Sequence, residues 1–68
     1  MILVFAKHER DFKDLNLRPK NKFKRVFSEK DIFGCDVDGV VFTFRWHESN
    51  KLVEAYEYLI SKKPEFKL

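Results

Sequence analysis

Phe33-Gly34-Cys35-Asp36-Val37-Asp38-Gly39-Val40-Val41-Phe42-Thr43-Phe44 is the segment on which the topology turns. Asp38-Gly39 suits a type I′ two-residue turn, which needs positive φ at both central positions. Around that turn Val37 faces Val40, Cys35 faces Phe42 and Phe33 faces Phe44. All six, with Trp46 beyond them, share one face. The opposite face takes Asp36 with Val41, Gly34 with Thr43, and Ile32 with Arg45. A slip of one residue would scatter the apolar set, so pattern and turn chemistry agree on one register. They predict an antiparallel hairpin with Phe42 and Phe44 buried. Gly34, inside the first strand, marks a bulge or a close backbone approach.

Ile2–Ala6 reads as a buried or half-buried first strand, and the polar run from Lys7 to Asp11 as a loop. Phe12–Leu17 resumes an extended pattern with Leu15 and Leu17 on one face. Arg18-Pro19-Lys20-Asn21 is turn chemistry, because Pro presets φ and Asn tolerates the left-handed region. Lys22–Ser28 alternates Phe23, Arg25 and Phe27 against Lys22, Lys24, Val26 and Ser28. Neither face is cleanly apolar, which suits an edge strand.

From about Asn50 to Lys63 the period becomes helical, with Leu52, Tyr56, Leu59 and Ile60 on one stripe. Ser49 or Asn50 supplies the N-cap. Glu54 lies early and Lys62 and Lys63 late, as the helix dipole favours. Pro64 stops the helix. Tyr58 falls on the polar side with Glu54, Glu57 and Ser61. The expected fold is α+β, one domain over residues 1–68. It is a small antiparallel sheet of four or five strands followed by one C-terminal helix packed on one face.

The chain holds 14 Lys and Arg against 11 Asp and Glu in 68 residues, a formal charge of +3. That length excludes two packed domains and most large enzyme folds. No apolar run approaches the ~20 residues needed to span a bilayer. The opening Met1–Ala6 is too short for a signal peptide and has no basic residues before it. The single cysteine, Cys35, excludes an internal disulfide and a cysteine-based zinc site. The expected location is therefore cytoplasmic. In the hairpin register Cys35 is a small buried hydrophobe with an inert thiol. Eight Phe, two Tyr and one Trp exceed what one small core needs. A lone core is marginal at this size, so a homodimer is expected, joined through a strand edge or a bare sheet face. High Lys, Phe, Ile and Asn usage fits an AT-rich coding genome, as in many phages.

Ile32-Phe33-Gly34-Cys35-Asp36-Val37-Asp38-Gly39-Val40-Val41 resembles the first motif of haloacid-dehalogenase-type phosphatases: an apolar strand, then D-x-D-G and two apolar residues. The resemblance implies Asp36 as nucleophile, Asp38 as general acid/base, and bound Mg²⁺. It covers that stretch alone. The family's later acidic pair has no counterpart after Gly39, and its fold is far longer than this chain. An EF-hand loop would need a further acid and a closing Glu at spacings that are absent. His8 and His47 stand in no metal-ligand spacing. The expectation is a protein without catalysis, cofactor or metal.

Arg18–Ser28 carries the strongest charge asymmetry, with Arg18, Lys20, Lys22, Lys24 and Arg25 and no acid. Phe23 and Phe27 are interleaved. Cations for phosphates and rings for stacking make a single-strand platform. An edge strand protected from aggregation by Lys has the same composition. On an edge all five cations reach solvent and form a positive ridge. Tyr58, rigid and amphipathic beside Glu54 and Glu57, is a further contact candidate. The expected function is a small protein-binding inhibitor or adaptor of the sort phages encode. It would occupy the acidic surface of a partner protein through Arg18, Lys20, Lys22, Lys24, Arg25 and Tyr58. The alternatives are a nucleic-acid-binding module on residues 18–25 and a compact RNase-type toxin.

Overall fold

Ile2-Leu3-Val4-Phe5 is apolar without interruption, the pattern of a strand buried on both faces. In the computed structural model, which describes residues 1–68, this strand is β1 (Ile2–Phe5), the centre of a three-stranded sheet. β2 (Phe23–Val26) lies on one side and β3 (Gly39–Phe42) on the other. Both pairings are parallel. Leu3 sits beside Lys24 and Val40, and Phe5 beside Val26 and Phe42. Leu3, Val4 and Phe5 are fully buried.

The antiparallel sheet of four or five strands is thereby overturned. Asp38-Gly39 is no turn: residues 35–38 run in without regular structure, and Gly39 opens β3. The positive φ belongs to Gly34, at 73°, where the chain reverses after Ile32. Gly34 is therefore a turn residue and not a bulge within a strand. β3 finds its partner in β1, because a central strand with two apolar faces needs neighbours on both edges. The connections 6–22 and 27–38 meet the length of about a dozen residues that a parallel crossover requires. Phe44, expected in the core, lies beyond β3 and is 87% exposed, while Phe42 is half-buried.

The residues Phe12–Leu17 are not a strand either. Glu9–Asp14 forms a short helix, α1, with Glu9 and Asp11 in its first turn and Lys13 in its last. Lys13 reaches back to Glu9 at 3.5 Å. Asn16, at φ 50°, takes the left-handed conformation that ends such a turn. Six residues are too few for a helical period to show in the sequence. β2 does lie at an edge, with Phe23 and Arg25 on one face and Lys24 and Val26 on the other.

α2 (Asn50–Lys62) follows Ser49 as its N-cap and buries Leu52, Ala55 and Leu59. These meet Leu3, Phe5, Val26, Ile32 and Val37 in one cluster. Truncating one such leucine to alanine typically costs about 2–5 kcal/mol. Rings close the β3 side: Phe42 lies 5.1 Å from Phe5, 4.8 Å from Trp46 and 5.7 Å from Tyr56. Val4 and Ala6 are buried on the opposite face, where Phe12 and Leu17 flank Phe23. No helix is long and apolar enough to cross a membrane.

Candidate functional site

Because the three strands run the same way, their carboxyl ends share one edge of the sheet. Open parallel sheets hold ligands outside that edge, where the strand order reverses. Here the chain leaves β1 for β2 on one side and β3 on the other, so the reversal falls between β1 and β3. A hollow of about 580 Å³ lies there, lined by Lys7 and His8 after β1, Arg10 and Asp11 of α1, and Phe44 and Arg45 after β3.

Local bonds position this rim. Thr43 donates its backbone N–H and its hydroxyl to the Phe5 carbonyl, at 3.1 and 2.7 Å, and so ties the two strand ends together. Arg45 is held at φ 61°, a costly conformation for a residue with a Cβ. Its guanidinium carbon lies 5.8 Å from the Phe44 ring. Glu48 accepts from Lys7 Nζ at 2.6 Å and from Arg45 Nε at 2.8 Å. The Lys7 hydrogen bond, with the nearby charge of Arg45, holds the Glu48 carboxyl below the usual range. The cations that follow β1 and β3 are thus joined through one carboxylate.

A smaller hollow of about 260 Å³ opens between the ends of β1 and β2 beneath the start of α2. Lys7, Arg25, Phe27, Ser28, Ser49 and Lys51 line it. Arg25 curls from β2 over this edge and donates to the carbonyls of Ala6 and Lys7, at 3.2 and 3.1 Å. Its guanidinium carbon stands 3.8 Å from the centre of the Phe27 ring.

The basic segment does not form one ridge. Arg18, Lys20 and Lys22 are exposed before β2, at the amino edge of the sheet. Lys24 instead points to the α2 side, where Nζ donates to the Asp31 carbonyl at 2.9 Å and lies 3.6 Å from Cys35 Sγ. Arg25 is committed to the carboxyl edge. Alternation along β2 separates these last two. Tyr58 is half-buried, its ring 5.0 Å from that of Phe33. Cys35 donates from Sγ to the Asp31 carbonyl at 3.1 Å and does not sit among Phe33, Phe42 and Phe44.

Asp36 and Asp38 precede β3, at the amino edge. Asp38 Oδ2 lies 2.6 Å from the Met1 ammonium, whose hydrogen bond and charge lower its pKa. In the phosphatase pattern a strand precedes the acids, whereas here a turn precedes them and the strand follows. Lys7, Glu48 and Lys51 are not singled out in the sequence as site residues, and Phe44 and Arg45 figure there only as hairpin positions, with Phe44 in the core. Their one signal is position, since Lys7 and Arg45 come just after strands whose ends share an edge only once the sheet is parallel. The chain is thus an α+β domain on an all-parallel three-stranded sheet with two polar hollows along its carboxyl edge. No protein family, curated protein or solved structure matches it.

Proposed function

We propose that this protein is a small non-catalytic inhibitor or adaptor, of the kind phages encode, that works in the cytoplasm by occupying the surface of a partner protein. One observation carries the reading: Phe44 is 87% exposed beside Arg45, whose backbone is held in the left-handed region. Aromatic and Arg side chains dominate binding energy at protein interfaces. A ring held out by a fixed turn also loses little freedom on docking. Arg18, Lys20 and Lys22, exposed and in no ion pair, would draw an acidic partner and speed encounter.

Capture from a host lysate with wild type and Phe44→Ala side by side tests this. The partner should be retained by wild type and lost by the variant, with both proteins equally folded. A partner held as tightly by Phe44→Ala removes the anchor and the reading with it. The same three cations favour a second reading, contact with nucleic acid. In that case log affinity falls with log salt by roughly 0.7–0.9 per phosphate neutralised, and Phe44→Ala has no effect.

A further inference from the structure

The hollow between the ends of β1 and β2 gathers three cations from three separate elements and no acid. Lys7 follows β1, Arg25 belongs to β2, and Lys51 lies in the first turn of α2. Ser28 and Ser49 also line it. Like charges held around one small space repel. Two carboxylates stand near the rim: Glu48 is shared between Lys7 and Arg45, and Asp31 Oδ2 accepts from the backbone N–H groups of Phe27 and Ser28 at 2.7 and 3.1 Å. Lys51 has no ion pair. Ser49 Oγ makes no bond to the helix that it precedes.

The arrangement is set in advance. The carbonyls of Ala6 and Lys7 hold Arg25 from Nε and Nη2, which leaves Nη1 free. A guanidinium already fixed loses little entropy when it binds. Phe27 is 57% exposed, with Arg25 against its ring. The space, about 260 Å³, holds a tetrahedral anion and part of what carries it.

We infer that this hollow binds the phosphate group of a small phosphomonoester, with Arg25, Lys51 and Lys7 on the oxygens and Phe27 beside the carried group. The inference is independent of the Phe44 surface. The test is titration of the isotope-labelled full chain, followed by amide NMR, at ionic strength held constant with sodium chloride. Inorganic phosphate and adenosine 5′-monophosphate serve as separate probes.

Saturable shifts are expected at Ser28, Ser49, Asn50 and Lys51 with both probes. Lys51→Gln touches an exposed side chain and should leave the melting temperature unchanged. It should weaken both probes by about tenfold, as for one lost charge-assisted hydrogen bond. Tighter binding of the nucleotide, abolished by Phe27→Ala, assigns the carried group to Phe27. Equal binding of the two probes would overturn the contact with the carried group and leave a site for free phosphate. Absence of saturable shifts, shifts confined to Lys20–Lys22, or a Lys51→Gln variant that binds as tightly as wild type would each overturn the inference.

Discussion

Glu48 receives one cation from the end of β1 and another from beyond β3, so a single carboxylate couples two strand ends. Its pKa is depressed from the ordinary 4.5, first by the Lys7 hydrogen bond. A depressed acid stabilises the fold above its unfolded pKa, and that contribution is lost as pH falls through the lower folded value. Glu48→Gln should therefore melt below wild type near neutral pH, and the two curves should converge as pH drops beneath 4.5. A difference that persists unchanged into acid would show that the charge contributes nothing. Phe44 and Phe5 form the second contrast at this scale. Phe44→Ala should change stability by about 0.5 kcal/mol or less, since the ring touches mostly solvent. Phe5→Ala should cost about 3–5 kcal/mol, because Phe5 is fully buried against Phe42 and Trp46. Urea titration of both variants measures the pair. Phe5 belongs to the apolar run of β1, whereas Phe44 would enter the core only if β3 paired antiparallel with the segment before it.

At the scale of elements, the two glycines separate parallel from antiparallel pairing. Gly34 sits at φ 73°, so Gly34→Ala should cost about 1 kcal/mol. Gly39 has no left-handed φ, and an added Cβ would meet Ile2 at 3.8 Å, an ordinary contact. Gly39→Ala should then be neutral or stabilising by up to about 1 kcal/mol. A hairpin would reverse that order, so thermal melts of the two variants decide between the topologies. Elements with a sustained pattern were legible in advance: α2 from its stripe of Leu52, Tyr56, Leu59 and Ile60, β1 from its apolar run, β2 from its mixed faces at an edge. α1 was not, because its single buried-side anchor, Phe12, sets no period. The Asp-Gly pair favours a turn only locally, and that preference yields to the burial of β1, whose Leu3, Val4 and Phe5 lie fully buried between two partner strands.

At the scale of the whole molecule, β3 is the element left open. Gly39-Val40-Val41-Phe42 carries no charge, pairs on one side only, and lies at the sheet edge opposite β2. An uncharged apolar edge is a template for a further strand. Two copies meeting there would bury the same patch on each, as a two-fold pairing requires. Sedimentation at micromolar and higher concentrations is expected to report a dimer, and Val41→Lys to return it to monomer. A mass of 8.2 kDa throughout would exclude self-pairing through β3.

What the residue order determined alone is what local periodicity encodes. It marks α2 and, through Leu52 and Leu59, part of the face that α2 buries, with an apolar first strand, an edge strand, and a cationic segment without acids. Ala55 completes that face where the stripe had Tyr56 and Ile60, and Tyr58, expected on the polar side, is half-buried. It could not determine the direction of strand pairing, because alternation states which face is buried and is silent on which way the neighbour runs. That choice rests on contacts distant in the chain: Leu3 and Phe5 against α2, and β1 between two partners. The same choice turned Lys24 inward, drew Arg25 over the carboxyl edge, and sent Phe44 into solvent. The candidate site follows from it, since Lys7, Arg25, Arg45 and Lys51 share one edge only when the strands run parallel.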